Sequence, residues 1–262
     1  MIMRNDTEYI LASGSPRRKE LLARVGLEYR VLVSDADENY PEGMKPEAIV
    51  KLLAGRKGHA VAELLKKKAE DACAKNLMDR GVIGEKKGAD NDVQMKACAD
   101  AGVFQKADKT GSEKSECSTI TTDVHSDIIK HICVISADTI VVLEDRILGK
   151  PADRKESEAM IRALQGRDHQ VWTGVQVIYL SAEDKSTERE ICFADCTAVY
   201  VVPMDDATVK AYVDSGEGDD KAGAYAIQGN FAKYISGYDG DFDNVVGLPV
   251  THLMEVLAGD VQ

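Results

Sequence analysis

The chain has 262 residues, 44% of them hydrophobic and 30% charged, with a formal net charge of −12. That length can bury a sizeable core in one large domain or two small ones, and the acidic balance excludes a general nucleic-acid-binding face. No apolar run reaches the roughly 18 residues of a membrane helix, the start from Met1 to Glu8 is too polar for a secretory signal, and the six cysteines lack C-x-x-C pairs, so reduced thiols and a cytoplasmic protein are expected.

The first informative stretch is Ile10-Leu11-Ala12-Ser13-Gly14-Ser15-Pro16-Arg17-Arg18-Lys19-Glu20-Leu21-Leu22. A short apolar run breaks at Ser13-Gly14 and resumes as an amphipathic pattern with Leu21, Leu22 and Val25 inward. Ser15 suits a helix N-cap, Pro16 the first helical position and Gly26 the stop, giving strand, tight turn, helix. Arg17, Arg18 and Lys19 then fall in the first turn, where the macrodipole is already positive. Cations, hydroxyls and free N–H groups at one helix start suit a polyanion; the alternative is a solvated basic turn. If the arginines serve a phosphate, they should be a liability in the empty protein.

Tyr29–Val33 reads as a strand leading into acidic Asp35, Asp37 and Glu38. Pro46 opens a second helix with apolar residues at Ile49, Leu53, Ala60 and Leu64. Lys57 falls on that stripe, either snorkelling or aimed into a cleft. Gly55 and Gly58 weaken the helix and allow a close neighbour. From about residue 66 to 131 the charges are mixed, glycines recur and 110–127 is rich in Ser and Thr, with helical fragments only at 69–79 and 93–101. This reads as an insertion within a single domain spanning 1–262.

Ile132–Leu143 is a continuous apolar run with the β-branching of a buried strand, and Asp138 sits in its middle. An ionised carboxylate there is costly unless paired, hydrogen-bonded or metal-bound, so Asp138 is a structural salt-bridge partner or a functional group. Ile147-Leu148-Gly149 delivers Lys150 after a short strand. Asp153 caps a helix stopped by Gly166. His169–Leu180 alternates, placing His169, Val171, Thr173, Val175 and Val177 on one face, where a lone histidine is more often structural. Ile191–Val202 is a strand whose Cys192 and Cys196 read as core residues, and Asp205 caps a helix to about Val213. Residues 215–229 and 237–243 read as polar, Gly-rich loops, and Pro249 starts a last helix with Val250, Leu253, Met254 and Leu257 inward.

No P-loop, dinucleotide fingerprint or H-E-x-x-H is present. A site must come from separated pieces: the cationic helix start, the mid-strand carboxylate, and Lys57 and Lys150. Cations with a carboxylate suit hydrolysis of a phosphoanhydride, the acid holding a divalent metal or activating water.

These pieces, in order, resemble the Maf family of nucleoside triphosphate pyrophosphatases, also known as septum-formation inhibitor proteins. The matching segments are Ser13-Gly14-Ser15-Pro16-Arg17-Arg18, Ala137-Asp138-Thr139-Ile140-Val141, Leu148-Gly149-Lys150-Pro151, His169-Gln170-Val171-Trp172-Thr173, 220–229 and Val245-Val246-Gly247-Leu248-Pro249. The resemblance spans the chain outside about 66–131, where family members are much shorter. It implies an elongated two-lobed α/β fold, a mixed β-sheet flanked by helices with a central nucleotide cleft, and hydrolysis of NTP to NMP and pyrophosphate with Mg²⁺ or Mn²⁺. By motif it makes Asp138 the acid that activates water or holds metal. Ser13, Ser15, Arg17 and Arg18 become phosphate ligands, Lys57, Lys150 and Lys221 cleft cations, and Asp37 or Glu38 the second acidic position, Glu38 being taken as a metal ligand. Thr139 and Gln228 fit the branch acting on dTTP and UTP, so dTTP/UTP or modified pyrimidine nucleotides are the expected substrates; modified purine or 7-methylated guanine triphosphates, and a non-hydrolytic division regulator, are the alternatives. A homodimer is also suggested. Arg56 departs from the family, which often has Glu before the lysine.

Overall fold

The computed structural model describes residues 6–79 and 129–259. One unit comprises Met1–Lys66 with Ile129–Gln262 and another Lys67–Ile128; the sheet, its cores and the cleft all belong to the first. Its strands are β1 (Thr7–Leu11), β2 (Arg30–Val31), β3 (His131–Leu143), β4 (Arg146–Leu148), β5 (Asp168–Ser181), β6 (Thr187–Val201) and β7 (Ile235–Asp239). They form a seven-stranded mixed sheet of order β2-β1-β3-β5-β6-β7, with β4 also paired to β3. The helices are α1 (Pro16–Arg24), α2 (Pro46–Asp79), α3 (Arg154–Leu164), α4 (Asp206–Asp214), α5 (Phe242–Val246) and α6 (Val250–Ala258).

Alternation along β3 sends its side chains to two different layers. Cys133, Ile135, Ala137, Val141 and Leu143 join one core with Leu21 and Leu22 of α1, Ile161 and Leu164 of α3, Val209 of α4 and Leu253 of α6. The opposite face belongs to α2. There Ile132 and Val134 pack with Val61, Ala62 and Leu65, while Ile140 and Val142 pack with Ile49, Val50 and Leu53. Between these two apolar groups the β3 residues on the α2 face are Ser136 and Asp138.

The edge of β3 opposite β5 is divided. β1 pairs with it only up to Ile135, and β4 pairs with it only from Val141. β5 covers the other edge from His131 to Val142 without a break. Residues 136–140 therefore have no neighbouring strand on one side, and the sheet carries a gap there.

Several expectations need correction. The strand expected at Tyr29–Val33 shrinks to the two residues of β2, because β1 offers it only Ile10 and Leu11 before ending. The loop expected at 237–243 is partly ordered: β7 adds to β6 through Tyr238 and Val199, and Asp241 caps α5 by accepting from Asp243 N at 2.9 Å. The 69–79 fragment is not separate but belongs to α2, the second helix, through good helix formers with no breaker. Ile49 and Leu53 are buried as expected, but further along the buried residues are Val61, Ala62 and Leu65, with Ala60 and Leu64 half-buried. The fragment at 93–101 and the Ser/Thr-rich stretch lie outside the described residues. Among the described residues no helix is long and apolar enough to cross a membrane.

The alternation read for β5 holds, with His169, Val171, Thr173, Val175 and Val177 all buried. His169 is 2% exposed, its Nε2 lies 2.7 Å from the Tyr225 hydroxyl, and its Nδ1 has no partner. Burial pushes the imidazole down to about 4, against a small opposing pull from Asp168. The folded value thus lies below the unfolded one, so the neutral ring's contribution is complete above about pH 6.5 and lost as pH falls towards 4. Urea unfolding should show up to about 3 kcal/mol lost across that window. A His169→Gln variant should give a flatter profile; an unchanged slope would mean that other groups carry it.

Candidate active site

The gap in the sheet opens into a cleft of about 550 Å³. Its chemistry begins with two close approaches of α2 to the sheet. A Cβ on Gly174, the β5 residue paired with Asp138, would come within 2.4 Å of the Val50 backbone. A Cβ on Gly58 would lie 2.7 Å from Ser136 Oγ, which donates to the Ala54 carbonyl at 2.8 Å. Larger residues at either position would lift the helix away. With α2 seated this closely, Lys57 reaches into the gap: its Nζ lies 2.5 Å from Asp138 Oδ1 and 2.8 Å from Glu38 Oε1. Asp138 and Lys57 are 13% and 20% exposed, Glu38 67%. Burial alone would lower the Lys57 pKa, but Asp138 and Glu38 more than reverse this and hold it above the ordinary range. The hydrogen bond from Lys57 keeps the Glu38 carboxyl below its usual range, and Lys150 adds to the effect. Asp37 faces elsewhere, towards Arg56 at 3.3 Å, so Glu38 is the acidic residue that enters the cleft.

The helix start forms a second wall with Ser13, Ser15, Arg17 and Arg18. Pro16 occupies the first helical position as expected, but the Ser15 hydroxyl makes no capping bond. The two arginines differ. Arg17 makes no hydrogen bond or ion pair among the described residues. Arg18 donates from Nε to the Gly247 carbonyl at 2.8 Å, from Nη1 to Ser13 Oγ at 3.1 Å and from Nη2 to Thr139 Oγ1 at 3.2 Å. Burial lowers the Arg18 pKa, Asp138 pulls the other way, and Arg17 lowers it further. The expectation that both are a liability in the empty protein therefore fails for Arg18, which joins the helix start to β3 and the turn before α6. Thr139 lies 3.0 Å from Thr173 Oγ1, which donates to the Asn244 carbonyl at 2.9 Å.

Lys150 and Lys221 come from different loops on the remaining side. Gly223 N donates to the Gly149 carbonyl at 3.0 Å, which ties the two loops together. Lys150 is exposed, whereas Lys221 Nζ donates to the Glu217 carbonyl at 2.6 Å and to Asp220 Oδ1 at 2.5 Å. Gln228 is exposed on the cleft rim. The structure thus brings Ser13, Ser15, Arg17, Arg18, Glu38, Lys57, Asp138, Thr139, Lys150, Lys221 and Gln228 to one cavity.

The donor set can be tested against a divalent cation. Asp138 and Glu38 converge on one ammonium, and no group of three or more His, Cys, Asp or Glu able to hold a metal occurs among the described residues. Two carboxylates without nitrogen or sulfur ligands suit Mg²⁺ or Mn²⁺, which take one or two carboxylates and fill the remaining positions with water and substrate phosphate. The residues fit such a cation.

Sequence reading missed Tyr40, Leu53 and Ile147, which line the cleft on the α2 side, and Thr173 and Asn244, which support Thr139. A signal existed only for the helix approach, in the glycine at 58. A sequence profile of the family described as Maf-like protein matches residues 8–259. The chain is 35% identical over 250 residues to a dTTP/UTP pyrophosphatase of Pelotomaculum thermopropionicum, covering 95% of both chains. It is 33% identical over 253 residues to a dTTP/UTP pyrophosphatase of Agathobacter rectalis, covering 96% of both.

Proposed function

Because the chain belongs to the Maf-like protein family, we propose that it is a pyrophosphatase that converts dTTP or UTP to the monophosphate and pyrophosphate. The observation that carries this reading is the Glu38–Lys57–Asp138 cluster, set in a gap of the sheet and faced by Arg17, Lys150 and Lys221. Asp220, which also lines the cleft, is paired with Lys221; the Asp138–Glu38 pair facing the cations suits attack on a phosphoanhydride, since binding a polyanion alone is better served without it.

Water adds to the α-phosphorus, the bond from that phosphorus to the bridging oxygen breaks, and pyrophosphate leaves with that oxygen. Asp138 Oδ1 is taken up by Lys57, so Oδ2 accepts the proton of the attacking water. Lys57 fixes the orientation of both carboxylates. Arg17, Lys150 and Lys221 neutralise the phosphates, with the Ser15 hydroxyl and the N–H groups of the helix start as further donors. Arg18 holds Ser13 and Thr139 in place beside them. Asp138 and Glu38 would hold Mg²⁺ or Mn²⁺, whose chemistry is to offset charge developing on the departing pyrophosphate. Thr139 and Gln228 are left to meet the nucleoside.

We place the enzyme in the cytoplasm, where free nucleotides occur, and read it as a homodimer. Residues 66–131 are taken as an insertion within the single domain. Pyrophosphate release from a panel of nucleoside triphosphates tests the reading, with dTTP and UTP expected to exceed 7-methyl-GTP. The reverse order would favour the purine alternative.

A further inference from the structure

Glu38 is carried on a stretch, residues 32–45, that contains no helix or strand. Such a segment samples many conformations unless something ties it down. Residues 37–39 are tied from two successive positions of α2. Lys57 takes the Glu38 side chain. One position earlier, Arg56 Nη1 donates to the Asp37 carbonyl and to Asp37 Oδ2, both at 3.3 Å, and to the Asn39 carbonyl. Asp37 Oδ1 in turn accepts from Asn39 N at 3.1 Å and Asn39 Nδ2 at 2.6 Å. Glu38 is thus the apex of a closed turn, its backbone gripped on both sides by Arg56 and its carboxylate directed at the cleft.

We infer that Arg56 is a positioning residue for the cation site proposed above, on which this inference rests: by fixing residues 37 and 39 it holds the Glu38 carboxylate beside Lys57 and Asp138. The guanidinium is suited to this because its donors point in fixed directions, which a lysine ammonium on a flexible stem would not reproduce. The residue that departs from the family pattern would then secure an acidic ligand without supplying one.

The test is the factor by which Mn²⁺ tightens binding of the α,β-imido analogue of dTTP to the full-length protein, measured by titration calorimetry with Mn²⁺ and with chelator. Arg56→Ala is expected to cut that factor about 10- to 100-fold, as loss of a partner behind a metal ligand does, with affinity in chelator unchanged. In a Glu38→Gln background the same change should have no further effect, because Arg56 acts through Glu38. An Arg56→Ala protein with the wild-type factor, or the same loss in both backgrounds, would overturn the inference and leave the site standing. A wild-type protein in which Mn²⁺ gives no tightening would overturn the carboxylate pair as a cation site, and this inference with it.

Discussion

Asp138→Asn is expected to lower kcat by about 10²- to 10⁴-fold while dTTP binds as well as before or more tightly. Asparagine keeps the shape of the side chain, and Lys57 keeps Glu38 as a partner at 2.8 Å, so the cluster should stay assembled. What is lost is the carboxylate that accepts the proton and shares a cation. Tighter ground-state binding would follow from removing a negative charge that faces the phosphates. Single-turnover rates and a thermal melt separate the two interpretations. A loss below about tenfold, or ~1.4 kcal/mol in the barrier, would make Asp138 a structural partner of Lys57 and the mechanism wrong.

The two arginines of the helix start should behave in opposite ways when the protein is empty. Arg17→Gln removes a cation that has no hydrogen bond to lose and that sits at a positive helix end, so stability should change by no more than about 0.5 kcal/mol, in either direction. Arg18→Gln deprives the Gly247 carbonyl, Ser13 and Thr139 of a charged donor. It should cost about 1–3 kcal/mol, which for a chain of this size lowers Tm by several degrees. With a non-hydrolysable triphosphate present, the stabilisation of RT ln(1 + [L]/Kd) should be strongly reduced in the Arg17 variant, because that guanidinium has no hydrogen bond to give up before meeting the ligand. Thermal melts of both variants, with and without ligand, decide this. Equal apo stability for the two, or an unaltered ligand response in Arg17→Gln, would refute the division of labour.

Asp138 stood out in the sequence because a carboxylate in the middle of Ile132–Leu143 is costly unless it is paired, hydrogen-bonded or metal-bound. The helix start could be found because Arg17, Arg18 and Lys19 oppose the helix dipole. Both signals are local violations of folding preference, and the order of the motifs around them led correctly to the family. The strands were legible for a different reason: β3 is a continuous apolar run, and β5 begins with alternating buried and outward positions. The gap in the sheet was not legible. It depends on β1, more than a hundred residues earlier in the chain, leaving β3 at Ile135, and on the adjacent short strand β4 joining only at Val141. The role of Gly174 was hidden likewise, since only the ladder pairs it with Asp138 and only α2 makes its missing side chain matter. Arg56 was legible as a departure but not as a clamp, because its partners lie in a segment without periodicity. The Gly-rich 237–243 stretch misled outright: an edge strand tolerates glycine, and composition alone says loop.

The most direct measurement is the identity of the phosphorus products formed from dTTP with Mg²⁺ or Mn²⁺ by the unmodified protein. Phosphorus NMR of the reaction mixture resolves pyrophosphate with dTMP from orthophosphate with dTDP. Pyrophosphate and the monophosphate are expected in equal amounts, dTMP from dTTP and UMP from UTP, with neither formed when the metal is chelated. Orthophosphate with the diphosphate, or no turnover of any nucleoside triphosphate with metal supplied, would contradict this expectation.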